Sequence, residues 1–123
     1  MAARLQQLNH VIIFVSDMQR SVAFYRDLLG LPLKFSSPEW TEFVTSTTTL
    51  ALHPARSTSQ GDQAAAPAGQ AQLGFMVDDL MAFYTSLQAQ GVRFSLPPKE
   101  ERDAGKIAVL HDPDGFGITI RQA

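Results

Sequence analysis

The stretch LNHVIIFVSDMQRSVAFYRDLLG, Leu8 to Gly30, sets one imidazole near the start of an apolar run and then turns amphipathic. Val11, Ile12, Ile13 and Val15 are strong β-formers, so Leu8–Val15 reads as a strand buried on both faces. Ser16 or Asp17 then offers a short side-chain oxygen to the unpaired amides of a helix's first turn. Met18, Val22, Tyr25 and Leu29 share one helical stripe, and Gly30 supplies the left-handed stop. His10 is thus a metal ligand, an acid–base group, or a polar residue with a local partner. The residues that share its face decide which.

Working outward, LPLKFSS, EWTEFVTS and TTTLALHP read as three short strands, broken near Pro38 and at the Ser46–Thr48 turn. Residues 55–70, ARSTSQGDQAAAPAGQ, are small and polar and read as a linker. The pattern then begins again. AQLGFMVDDLMAFYTSLQAQG supplies a strand, a cap at Asp78 or Asp79, and a helix with Leu80, Phe83 or Tyr84, and Leu87 on one face. VRFSLPP, KIAVLHD and FGITIRQ supply three more strands. Val15-Ser16-Asp17 matches Val77-Asp78-Asp79, and Gly30 matches Gly91 to within one residue. The repeated AFY lies out of that register by three and is coincidental.

The expected fold is α+β, with residues 1–123 as a single domain of two βαβββ modules, about 8–54 and about 71–121. Their eight strands would form one curved mixed sheet with both helices on the outer face. The open concave side is then the natural ligand cavity.

Composition narrows the classes. A net charge of −2 gives no reason to expect nucleic acid or an anionic membrane as partner. The absence of cysteine excludes disulfides, thiolate nucleophiles and cysteine metal sites. No secretory apolar region or run of about 20 apolar residues is present, so a cytoplasmic protein is expected. No Gly-rich phosphate loop, nucleophile elbow or basic stripe appears.

Strand alternation sorts the faces. Val11, Ile13, Val15, Leu50, Leu52, Leu73, Phe75, Val77, Ile118 and Ile120 should meet the helices. The concave side then receives His10, Ile12 and Phe14; Thr49, Ala51 and His53; Gln72, Gly74 and Met76; Gly117, Thr119 and Arg121. That set holds no carboxylate. Glu42 would add one if its strand faces inward, and otherwise it is a solvated edge residue.

NHVIIFVSDMQRSVAFYRDLLGLPL, together with HDPDGFGITI near the C-terminus, resembles the vicinal oxygen chelate superfamily of glyoxalase I, bleomycin-resistance proteins, fosfomycin-resistance enzymes and extradiol dioxygenases. The resemblance runs from about Leu8 to Ile120 and implies pairing into a homodimer. It also implies four metal positions. His10 fills the first; Ala51 stands where a Glu is usual, Gln72 where a His is frequent, and Thr119 where the closing strand carries an acid. A symmetric partner contributes the same depleted set.

A tight divalent site wants three or four anionic or imidazole ligands, so no metal and no cofactor are expected. His53 lies two residues beyond Ala51, about 6.5–7 Å along the strand, and with Glu42 it is the substitute ligand to consider. His10 reads as a cavity-wall residue, with acid–base catalysis as its alternative role. His111 precedes the DPDG turn and reads as structural. Trp40, Phe14, Met76 and Phe116 line a pocket for a flat apolar molecule or belong to the core. Arg121 favours an anionic ligand, or else pairs with an acid at the sheet edge. Residues 57–68 and the segment PPKEERDAG read as loops at the cavity mouth or as exposed turns.

The leading reading is a metal-independent small-molecule binding protein of the bleomycin-resistance kind, with His10, Phe14, His53, Gln72, Met76, Thr119 and Arg121 as ligand-binding residues. The alternative is an enzyme: a glyoxalase-like lyase or isomerase, or a dioxygenase, with a rearranged metal site.

Overall fold

Ile13 and Val15 are buried while Ile12 and Phe14, on the opposite side of the same strand, are exposed. The strand is therefore buried on one face, not on both as its apolar run suggests, in the computed structural model, which describes residues 8–55, 71–102 and 105–123. The chain divides into two compact units, residues 1–58 and 59–123. Each contains a four-stranded sheet. The loop and linker readings for 56–70 lie outside the described residues.

In the first unit β1 (His10–Val15) leads into helix α1 (Met18–Ala23), which continues as a π-helical turn (Phe24–Leu28). Strands β2 (Leu33–Ser36), β3 (Thr41–Phe43) and β4 (Thr49–Pro54) follow. The sheet order is β1-β4-β3-β2, with β1 parallel to β4 and the other pairs antiparallel. Asp17, not Ser16, caps α1: its carboxylate accepts from the Arg20 amide at 3.1 Å. The π turn closes through the Leu29 amide and the Phe24 carbonyl at 3.0 Å. Gly30 at φ +78° then provides the left-handed exit that a side chain would resist. Val22 and Tyr25, with Phe24, are buried against the face that carries Ile13, Val15, Phe43, Leu50 and Leu52.

The second unit repeats the plan with β5 (Leu73–Val77), α2 (Leu80–Ala89), β6 (Phe94–Glu101), β7 (Gly105–His111) and β8 (Gly117–Gln122). Its order is β5-β8-β7-β6, again with one parallel pair, β5 with β8. Asp79 caps α2 by accepting from the Ala82 amide at 3.0 Å. Gln122 Oε1 accepts from the Leu80 amide at 3.0 Å, tying the end of β8 to the start of the helix. Leu80, Leu87 and Val92 are buried with Ala108, Leu110, Ile118 and Ile120. The chain thus has the two βαβββ modules expected of it, α+β throughout.

Two boundaries differ from the sequence reading. The first strand begins at His10, the first residue in register with β4, and the Asn9 carbonyl just before it accepts from the Thr49 amide at 2.8 Å. PPKEE belongs to β6, which runs on through Pro97 and Pro98 to Glu101 with register shifts on both sides of Leu96. Proline lacks a ladder donor but is tolerated where a strand is an edge or is bulged, and β6 is both.

Candidate functional site

Ladder register fixes which side chains share each open face. In the first sheet His10 pairs with Thr49, Ile12 with Ala51, and Phe14 with His53. Glu42 pairs with Ala51 on the other side, and Phe35 pairs with Glu42. The face away from α1 therefore carries His10, Ile12, Phe14, Phe35, Glu42 and His53 around a buried Ala51. Phe14 and Phe35 are 60% and 53% exposed, a heavy apolar load for an open surface.

The β2–β3 turn delivers Trp40 to this group. Ser37 Oγ accepts from the Trp40 amide at 3.1 Å, and the Ser37 amide donates to the Trp40 carbonyl at 2.9 Å. Trp40 precedes Glu42 by two residues, so both project to one side. The indole Nε1–H donates to Glu42 Oε2 at 2.8 Å. That bond, against some desolvation and helped by the charge of Lys34, holds the Glu42 carboxyl below its ordinary value. Lys34 Nζ lies 3.7 Å from Oε1, and His10 Nε2 lies 3.9 Å from Oε2. The Trp40 ring is 6.3 Å from the His10 ring and 6.2 Å from the His53 ring, and Phe14 meets His53 edge-on at 5.5 Å. His53 Nδ1 is 2.7 Å from the Pro54 carbonyl. A carbonyl only accepts, so Nδ1–H is the donor in that contact.

In the second sheet Gly74 pairs with Thr119 and Met76 with Arg121, while Thr119 pairs with Val109 and Arg121 with Ile107 on the other side. Gln72 Nε2 donates to Thr119 Oγ1 at 2.7 Å. Met76 is 67% exposed beside Arg121, and among the described residues no carboxylate pairs with that arginine. Gln72, Met76, Thr119 and Arg121 therefore share one face, as alternation requires.

His111 holds the DPDG turn. Its Nδ1–H donates to the Gly115 carbonyl at 3.0 Å, and Asp112 Oδ1 accepts from the Asp114 and Phe116 amides at 2.9 and 2.8 Å. A cleft of about 810 Å³ lies on the helix side of the first unit, lined by Ser16–Gln19, Val22, Arg26 and Ser36–Pro38. Its Asp17 Oδ1 and Ser37 Oγ already accept capping and turn bonds, and it contains none of the residues expected to bind.

The four metal positions are poorly furnished. Ala51 has no donor atom, and Gln72 and Thr119 are bonded to each other. Glu42 Oε2 already accepts from the Trp40 indole. His53 does not join His10: register places it opposite Phe14, four residues and roughly 13 Å along the strands from His10. Among the described residues no three His, Asp or Glu side chains gather as a metal would need. The donor set does not fit a tightly held divalent ion.

Lys34 is the residue that sequence reasoning missed, whereas Trp40 stood between pocket and core and Glu42 between a substitute ligand and a solvated edge residue. Glu42 was left open between an inward and a solvated position because a three-residue strand gives too little alternation. Trp40 lies in a turn, where periodicity says nothing of direction.

Comparison with known proteins agrees with this architecture. The model of the Glyoxalase/Bleomycin resistance protein/Dioxygenase superfamily matches residues 7–120. The uncharacterized protein YraH of Bacillus subtilis (strain 168) is 28% identical over 123 residues, spanning 93% of this chain and 96% of that one. TnmS3, an antibiotic binding protein from Streptomyces sp. CB03234, is 26% identical with a TM-score of 0.77, covering 98% of each chain. A lactoylglutathione lyase from Agrobacterium tumefaciens superposes with a TM-score of 0.76 over 98% of this chain and 96% of its own, at 19% identity. That likeness is one of fold alone.

Proposed function

This chain belongs to the Glyoxalase/Bleomycin resistance protein/Dioxygenase superfamily, and from that premise we propose that it is a metal-independent small-molecule binding protein. The observation that carries the reading is the exchange at Ala51. The position that resemblance gives to a ligating acid holds a methyl group, and the carboxylate across the ladder from it, Glu42, is bonded to an indole. What the first sheet offers in place of metal ligands is a set of exposed rings. Stacking and apolar contact hold a flat ligand with no metal present. The likeness to an antibiotic binding protein, at 26% identity, supports the same class.

On the second sheet Arg121 and the Gln72–Thr119 pair suit an anionic or hydrogen-bonding group, with Met76 as an adaptable apolar contact. The reading includes a cytoplasmic homodimer, on resemblance and on the exposed apolar side chains of the open faces. Among the described residues no helix is long and apolar enough to cross a membrane.

The test is ligand binding with and without chelator, followed through tryptophan emission. Trp40 is the single tryptophan, so quenching reports on this face. Quenching by flat aromatic compounds that survives chelator supports the proposal, and loss of all binding on chelation overturns it. One observation favours the enzyme reading: His10 Nε2 and Glu42 Oε2 stand 3.9 Å apart, beyond a direct hydrogen bond but close enough for a small side-chain shift to join an imidazole and a carboxylate. Turnover that requires added zinc, nickel or iron would put a lyase, isomerase or dioxygenase in its place.

A further inference from the structure

Resting on the reading that the first sheet's open face holds a small molecule, we propose that its ring cluster takes an organic cation, an amine carried on a flat apolar group. In the free chain Lys34 holds that cation's place.

Three observations converge on this. Glu42 is the one carboxylate among the described residues of that face, and its surroundings are rings: Trp40 bonded to it, His10 beside it, His53 and Phe14 beyond Trp40. Aromatic faces carry partial negative charge and attract a cation within about 6 Å of the ring centre. The faces of Trp40 and Phe14 supply that attraction, and the carboxylate at the indole edge adds a full charge to the same preference.

The Glu42 side chain is 20% exposed and held by the indole N–H, whereas that of Lys34 is 59% exposed. The carboxylate is therefore the fixed partner and the ammonium the replaceable one. Their 3.7 Å separation is also longer than a hydrogen bond, which wants about 2.7–3.2 Å. Among the described residues Oε1 has no donor within hydrogen-bond distance, and a ligand N–H seated beside the rings would make the short bond that Lys34 does not.

The experiment uses the full chain and two planar probes of similar shape, 9-aminoacridine, which is cationic at neutral pH, and 9-anthroate, which is anionic. Affinities come from calorimetry, with Trp40 emission locating each probe. The cation is expected to bind at least tenfold more tightly than the anion and to quench Trp40. Glu42→Gln keeps an acceptor for the indole and should weaken the cation tenfold or more while leaving the anion unchanged or tighter. Lys34→Met should strengthen the cation threefold or more. Circular dichroism establishes that both variants fold.

If neither probe binds, or if Glu42→Gln leaves the cation's affinity intact, the inference is overturned. A tighter anion also overturns it, while the metal-independent small-molecule reading stands. Binding of the cation that appears only after zinc is added overturns both.

Discussion

Glu42 stands directly across the β3–β4 ladder from Ala51, on the same face of the sheet. The carboxylate of this face thus lies one strand sideways of the position that resemblance gives to a metal ligand. It falls within reach of Trp40 and Lys34.

The first prediction concerns metal content. With one imidazole and one engaged carboxylate on the first face, and an amide bonded to a hydroxyl on the second, divalent affinity should be low. Protein purified without chelator is expected to carry well under one zinc, nickel or iron per chain by elemental analysis. One tightly held ion per chain would overturn the metal-independent reading and make His10 a ligand.

A second prediction uses the Trp40–Glu42 bond. The indole donor is the largest cause of the lowered Glu42 carboxyl. A carboxyl whose folded value is depressed adds stability above its unfolded value and loses it as pH falls through the folded one. Trp40→Phe removes the N–H and keeps a ring, so the Glu42 carboxyl should return upward toward its ordinary range. Carbon-detected NMR titration of that carboxyl is the measurement. A titration midpoint unchanged in Trp40→Phe would assign the shift to Lys34 and His10.

Much of the fold was legible because the signals were local and redundant. Val11, Ile13 and Val15 alternate, Asp17 caps, Gly30 stops, and the second module repeats the sequence of signals through Asp79 and Gly91. The open faces were legible for the same reason: once β1, β4, β5 and β8 are strands, parity places His10, His53, Gln72 and Arg121. The course of β6 was not, since Pro97 and Pro98 argue against a strand unless it lies at an edge, and edges are decided by tertiary pairing. The direction of Trp40 was illegible too. It is set by the Ser37 hydroxyl in a turn, a contact that no hydrophobic period encodes.

A third prediction is one of stability. Asp112 Oδ1 accepts two backbone amides and closes the turn that sets β8 beside β7. Asp112→Ala leaves both amides without that acceptor in a part-buried turn, at about 1–3 kcal/mol for such a loss. Chemical denaturation should show the shift with an unchanged slope. A change below about 0.5 kcal/mol would mean that water replaces the carboxylate in full.

Arg121 provides a fourth. Exposed and flanked by Met76 and Ile107, it is available for charge-assisted bonds to a ligand. Such a bond contributes about 1.5–3 kcal/mol when water is excluded. Arg121→Ala should therefore weaken carboxylate or phosphate ligands by roughly 10- to 150-fold, and neutral ligands of similar size much less. Equal losses for both, or none, would place Arg121 outside the site.

His10 is the last test, and it separates the two readings of function. Its side chain is 45% exposed, its ring lies 6.3 Å from that of Trp40, and the core residues Ile13 and Val15 face the other way. Removing an exposed ring of this kind usually changes stability by no more than about 0.5 kcal/mol. His10→Ala should thus keep the fold and its unfolding midpoint, and should weaken a flat ligand only a few-fold, because Trp40 and Phe14 still supply ring contact. An acid–base group behaves differently. If the chain turns over a substrate and His10→Ala lowers kcat by a hundredfold or more with little change in KM, the imidazole works in the transition state. The pair it makes with Glu42 would then be the centre of an active site, not one wall of a binding face.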